Sequence, residues 1–404
     1  MRTKGMLNAA RWFGVWRGTL LLGAGFGLAS AMGCSNPSPS TGLTQTNANI
    51  SINADGSNVS IKITSDDSNR ATETVGKTFL ADHVNGIKID GDAGDITVEA
   101  AEEGVDHIQI TATKVVTGSK LDVDLKPFLS KISVKAALEG DKLVLKSTRE
   151  HSMEASKVSG YVSYKIVAPK RLALELKNVS ADIHVDHMSG GVDAATSSGS
   201  IALADVEGVV VAHSVSGAVE VSDAARSAGV IAESSSGDIA LNDVAGAVKA
   251  KTVSGGIHVE KANASSITLE SSSGSISASE VTASQSSLQA TLKTVSGEIE
   301  YNGDVTQVAA NSSSGNIVVN ASSRFPLATE SAFETVSGNV ELSLPAATSA
   351  NVATETVSGS IALPGMAEQT DENVPMKRAS AKLGTGTVPI KIKTSSGNIA
   401  VKTE

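Results

Sequence analysis

"KTVSGGIHVE", residues 251–260, returns as "KTVSGEIEYN" at 293–302, as "ETVSGNVELS" at 334–343 and as "ETVSGSIALP" at 355–364. Each copy is a serine-glycine corner followed by apolar residues two and four positions on. Aligned on the corner glycine, the series runs Gly199, Gly217, Gly237, Gly255, Gly274, Gly297, Gly315, Gly338, Gly359 and Gly397, in steps of 18, 20, 18, 19, 23, 18, 23, 21 and 38. Ala181 occupies the same slot one step earlier, and Gly160 in "KVSGYV" is a further candidate. A period near 20 residues marks a solenoid or a related array.

The pattern inside a repeat gives its local structure. Ile239 and Leu241, Ile257 and Val259, and Ile317 and Val319 follow their glycines. Val210 and Ala212, Val230 and Ala232, and Ile267 and Leu269 precede theirs. A period of two puts each pair on one face of a strand. The corner glycine is expected to supply a backbone conformation that other residues resist. A repeat then reads strand, corner, strand, turn, and no repeat can bury its apolar face alone. The expected fold is all-β: a β-solenoid of roughly 20-residue repeats preceded by short irregular strands.

Two outward rows bear on how repeats stack. Four residues before the glycine stand Glu233, Lys251, Glu270 and Lys293, which become neighbours of opposite charge if each repeat is one coil. Two residues before it, serine and valine alternate: Ser197, Val215, Ser235, Val253, Ser272, Val295, Ser313 and Val336. That row alone would suit a coil of two repeats. The charges favour one repeat per coil and a ladder of about 45–50 Å from Ala181 to Gly359.

The chain begins with a leader at 1–33. Arg2, Lys4, Arg11 and Arg17 precede the apolar "TLLLGAGFGLASAM", which is shorter than the roughly 20 residues of a membrane-spanning helix. Ala31-Met32-Gly33-Cys34 resembles a bacterial lipobox, although its first two positions are atypical, and ordinary cleavage after Ala29-Ser30-Ala31 is the alternative. Cys34 is the only cysteine, so it has no disulfide partner. The lipobox resemblance implies a lipid on Cys34 and a membrane as partner. Residues 34–49 form a Ser/Thr/Asn/Pro-rich tether. Residues 50–173 are an N-terminal β region with the first coils, and 174–404 are the repetitive solenoid. In the first of these, "NADGSN" suggests an Asp55-Gly56 hairpin, and "SKLDVDLKPFLSKI" is the one candidate helix, interrupted by Pro127. A polar insertion at 364–388, expected as a loop, interrupts the period. The last repeat, "IKIKTSSGNIAVKTE", is expected to leave an uncovered end. Lys391, Lys393 and Lys402 would blunt that edge, which otherwise invites end-to-end self-association.

Composition excludes some functions. The chain carries 33 basic and 43 acidic residues, and the leader removes four of the basic ones, taking the net charge from −10 to −14. Nucleic-acid binding requires the opposite sign.

The SGxIxL repeats, the preceding "YKIVAPKRLALELKNVSADIHV" and the lipoprotein start resemble the bacterial "putative adhesin" domain family over residues 84–404. The resemblance implies an exported or membrane-attached β-solenoid with no catalytic signature.

Three constellations carry possible chemistry. His184, Asp186 and His187 in "DIHVDH" are ligand types, but His184 and His187 differ in strand parity, and zinc needs three or four converging groups. His213 and His258 are too many repeats away to join them. "DGDAGD", residues 90–95, lacks the spacing of a calcium loop, and a plain turn is expected. Asp205, Asp223, Asp243 and Glu280 form a row six residues after the corner; paired carboxylates about 5–9.5 Å apart can hydrolyse glycosides. Against that, turns favour Asp anyway. Asn178-Val179-Ser180 is read as polar surface. The expectation is a non-catalytic protein of the bacterial cell envelope, without cofactor or metal, lipid-anchored through Cys34 and presenting its solenoid to an envelope, glycan or protein ligand as an adhesin or scaffold. The alternatives are a polysaccharide-active enzyme using the carboxylate row and a periplasmic envelope-stress component.

Overall fold

The computed structural model describes residues 59–67, 69–118, 124–155, 157–322, 324, 327–365 and 376–404, all within one compact unit, Thr46–Glu404. The leader, Cys34, the tether and the Asp55-Gly56 turn lie outside the described residues. Among these, 29 strands join in one continuous sheet. Helix among the described residues is confined to Lys126–Leu129, with Pro127 in its first turn, and Ser152–Ala155. Among the described residues no helix is long and apolar enough to cross a membrane.

The fold is a β-solenoid in which one repeat makes one coil. Each repeat lays one strand in each of two parallel walls. In the wall after the corner, Ile239 pairs with Ile257 and Ile257 with Ile276. In the wall before it, Val248 pairs with Ile267 and Ile267 with Ala290. These side chains are all 0–2 % exposed. Burying an aliphatic side chain contributes about 1.5–3 kcal/mol, and each coil offers such side chains from both walls. The charge row behaves as the one-repeat coil requires: Glu233, Lys251, Glu270 and Lys293 are successive register partners.

At the N-terminal end the strands are long and antiparallel. Val59–Asp67, Arg70–Leu80, His107–Gly118 and Val158–Ala168 pair in that order. Gly160 sits inside the last of them, opposite Val116, so it is not a corner. A Cβ there would meet Ile132 and Met153 at 2.7 and 2.8 Å. An ion pair, Lys114 Nζ to Glu73 Oε2 at 3.1 Å, lies in this layer with side-chain exposures of 0 % and 3 %. Breaking such a pair leaves an uncompensated buried charge, at a cost of about 3–5 kcal/mol.

Spatial order departs from chain order at both ends. The coil of Gly86–Asp90 and Ile96–Ala100 lies between Lys142–Arg149 with Val158–Ala168 on one side and Ala173–Lys177 with Ile183–Asp186 on the other. At the other end the last repeat is not last. Strand Val388–Lys393 pairs with Ser331–Glu334 on one side and Ala350–Thr356 on the other. Strand Ile399–Thr403 likewise lies between Val340–Leu344 and Ile361–Ala362. The chain leaves one rung empty, builds the next, and returns to fill the gap.

Two expectations are corrected by this. The insertion is not simply a loop: its Lys377–Leu383 strand pairs antiparallel with Ala350–Thr356 and covers that wall. Lys391, Lys393 and Lys402 do not blunt an edge. They sit on the interior rung and pair with Glu330, Glu355 and Glu341. Lys377, Arg378 and Lys382 bring basic charge to the outer strand instead, which discourages edge pairing.

Candidate functional site

The corner is built on close backbone approach. None of the corner glycines has a positive φ, so the expected conformational reason is wrong. Each instead lies over the corner of the preceding rung. A Cβ on Gly217 would stand 1.9 Å from the Gly199 carbonyl oxygen, on Gly255 2.1 Å from that of Gly237, and on Gly274 1.8 Å from that of Gly255. The column follows spatial order, with Gly397 over Gly338 and Gly359 over Gly397. Positive φ belongs to the opposite turn, where His187, Asp205, Asp223, Asp243, Lys261 and Glu280 take φ of 48–60°.

Three residues before each corner glycine stands a buried Ser or Thr that the sequence reading passed over. Ser214 Oγ donates to the Gly199 carbonyl at 2.9 Å, Thr252 Oγ1 to that of Gly237 at 3.0 Å, and Thr394 Oγ1 to that of Gly338 at 2.9 Å. The same hydroxyls accept from their own glycine N–H, as at Gly217 (2.9 Å) and Gly255 (3.2 Å). Buried backbone groups at the corner are thereby satisfied. The signal was present in the sequence as a hydroxyl residue at that position in every repeat from Thr196 onward.

Outside this hydroxyl row runs the exposed edge. In spatial order it reads Val179, Ser197, Val215, Ser235, Val253, Ser272, Val295, Ser313, Val336, Ser395, Val357. Chain order would set Val336 and Val357 in succession; insertion of the final repeat places Ser395 between them. The valines are 42–55 % exposed, and the serine next to each glycine is exposed as well. Beside this edge a groove of about 550 Å³ is lined by Lys177, His213, Glu233 and Lys251 on one side and Ser197, Val215, Ser235 and Val253 on the other. Glu233 receives a hydrogen bond from Lys249 at 2.9 Å, which holds its carboxyl below the usual range. His213 Nδ1 lies 3.4 Å from Glu233 Oε2.

The other sequence candidates are separated from this edge. His187 Nδ1 lies 2.7 Å from Asp186 and its Nε2 3.6 Å from Asp205. Among the described residues no group of His, Cys, Asp and Glu is placed to hold a metal. "DGDAGD" is the corner of the first coil: Asp92 pairs with Arg149 at 2.8 Å, and Gly94, at φ 99°, lies against the Val162 carbonyl. The carboxylates of the turn row do not form a continuous set, since Lys261 stands between Asp243 and Glu280. Asp205 also lies 3.7 Å from Arg226. A carboxylate the sequence reading did not single out is more enclosed. Asp304, 4 % exposed, accepts from the Ala283 N–H at 3.0 Å and from Ser322 Oγ. Its carbonyl accepts from Tyr301 Oη at 2.5 Å, and burial pushes the Tyr301 hydroxyl pKa up.

Comparison with known proteins finds one family and remote structural similarities. The model of the Toastrack DUF4097 family matches residues 84–301 and 245–402. No curated protein matches the chain. Among solved structures, a putative cell adhesion protein from Clostridium sporogenes aligns at 7 % identity and a TM-score of 0.20, covering 82 % of this chain and 100 % of its own. A putative adhesin from Bacteroides fragilis aligns at 12 % identity and a TM-score of 0.26, covering 81 % of this chain and 96 % of its own.

Proposed function

This chain belongs to the Toastrack DUF4097 family, and from that membership we propose that it is a lipid-anchored, non-catalytic protein of the bacterial envelope that displays its solenoid to a partner, as an adhesin or surface scaffold. The observation that carries this reading is the exposed edge. A regular Val/Ser row, flanked by a charged row and a shallow groove, repeats along many coils and offers a long contact surface rather than an enclosed pocket. Small-molecule sites are usually concave and largely buried; this groove is open along its length. The turn carboxylates support the enzymatic alternative poorly, because left-handed backbone positions select Asp and Asn for conformational reasons, and the row is broken by a lysine.

Anchoring rests on the leader and on Cys34. The test is protease shaving of intact cells, with blotting of the membrane fraction, alongside fatty-acid labelling of the wild type and Cys34→Ala. The expected result is lipid incorporation that Cys34→Ala abolishes and a solenoid cut from intact cells. Label retained by Cys34→Ala would refute the anchor. A solenoid protected until the outer barrier is opened would refute an adhesive role toward other cells and favour the periplasmic, envelope-stress alternative.

A further inference from the structure

The alternation of valine and serine along the corner edge has no cause inside the solenoid. Inward rows stack like on like, as in Ile239, Ile257, Ile276, Ile299 and Ile317. The charge row alternates because neighbours attract, but valine and serine carry no charge. The alternation follows spatial order even where chain order breaks it, so it is a property of the assembled surface. The result is a toothed edge: an exposed valine on every second rung, about 9.6 Å apart, with the smaller serine between.

We propose that this edge is a self-association surface on which a second copy of the chain docks antiparallel, the valines of one copy seated against the serines of the other. Period selects the occupant. An extended peptide repeats its same-face side chains about every 6.6–6.8 Å and falls out of step after one tooth. A second copy carries the same period over the whole edge. Symmetry selects the direction. A two-fold axis along the solenoid sets valine against valine at every level, whereas an axis across it, placed between two rungs, sets every valine against a serine.

Charge and overlap together select the register. With the axis between the rungs of Ser235 and Val253, Val253 faces the second copy's Ser235, and Val215 its Ser272. In the flanking row Glu233 then faces Lys251, and His213 faces Glu270. On the opposite flank, Asp238 faces Gly256, and no like charges meet. Moving the axis by one rung, to lie between the rungs of Val253 and Ser272, sets Lys177 against Lys393 and Asp238 against Glu298. The overlap from Val179 to Ser313 spans about 34 Å. With a strip about 20 Å wide it approaches the roughly 800 Å² per partner of a standard interface. The inference is independent of the lipid anchor.

The test is the mass of the purified full chain by light scattering and sedimentation from micromolar to near-millimolar concentration. The wild type is expected to dimerise. Val215→Ser/Val253→Ser/Val295→Ser, which blunts the teeth, and Ser235→Val/Ser272→Val, which fills the gaps, should each weaken the dimer at least tenfold without moving the melting temperature. Register is read by cysteine cross-linking in a Cys34→Ser background. Ser235→Cys, beside the axis, should form a disulfide dimer, and Ser313→Cys, far from it, should not. A wild type that stays monomeric throughout, or a dimer indifferent to both sets of substitutions, overturns the proposal. Cross-linking at both positions would show parallel pairing and overturn it as well. A monomer that binds insoluble glycan through the valines would assign the edge to carbohydrate instead.

Discussion

Replacing Gly255 by alanine tests whether the corner glycines answer to backbone approach. The new Cβ would lie 2.1 Å from the Gly237 carbonyl oxygen and 2.5 Å from its carbon. Both are backbone atoms, so the two rungs must part by about 1 Å or more to restore van der Waals contact. The Thr252–Gly237 hydrogen bond, at 3.0 Å, bridges the rungs that would separate. Overpacking costs about 1–3 kcal/mol and the weakened bond about 0.5–1.5, for an expected loss of about 1.5–4.5 kcal/mol. Gly256 is the internal control. A Cβ there meets nothing closer than 3.5 Å, so Gly256→Ala should be neutral or stabilise by up to about 1 kcal/mol through the unfolded chain. Gly255→Asn separates the two explanations: asparagine tolerates positive φ but carries the same Cβ, and should fail as alanine does. Urea unfolding followed by circular dichroism measures all three. Because repeat arrays open locally, hydrogen exchange over residues 237–276 should locate the loss. Wild-type stability in Gly255→Ala, or sparing of Gly255→Asn alone, would refute the reasoning.

Three further outcomes follow from the same geometry. Thr252→Val keeps the shape of the side chain but removes the donor to the Gly237 carbonyl, and should cost about 1–3 kcal/mol, with Thr252→Ser near wild type in the same urea assay. Truncation after Thr387 removes an interior rung, with the buried Ile390, Ile392, Ile399 and Val401; the lost burial alone is about 6–12 kcal/mol, so the shortened chain should be degraded in a limited-proteolysis assay that leaves the full chain intact, and equal resistance would sink the interleaved rung order. Glu175 is held at a pKa of about 2 chiefly by its hydrogen bond from Lys88, with Lys177 and Lys142 adding to it; a depressed carboxylate stabilises the fold above its unfolded pKa and loses that contribution as pH falls through the folded value, so melting between pH 4.5 and 2 should depend less on pH in Glu175→Gln than in the wild type.

Much of the local structure could be read from residue spacing. Alternation placed the strands, because one face of each strand must be apolar wherever the other meets water. The Glu233, Lys251, Glu270, Lys293 row identified the one-repeat coil, because only adjacent rungs bring those charges together. The same reading went wrong about the corner glycines. It assigned them a strained φ, when strain belongs to the turn at Asp205, Asp223 and Asp243. A glycine demanded by its own conformation and a glycine demanded by a neighbour's carbonyl look the same in sequence. The buried hydroxyls at Ser214 and Thr252 were likewise visible as letters, but their partners lie one rung away.

The sequence by itself determined the period, the strand faces, the all-β class and the acidic surface, since each depends only on side chains a few positions apart. Tertiary structure decided which rung lies on which. Every rung offers nearly the same Ile/Val faces to its neighbours, so local pattern cannot tell residues 350–362 from 388–403 as the partner of 331–344. The fold places the second between the other two, and with it Ser395 between Val336 and Val357. Long-range pairing makes that choice, and the unbroken toothed edge is its consequence.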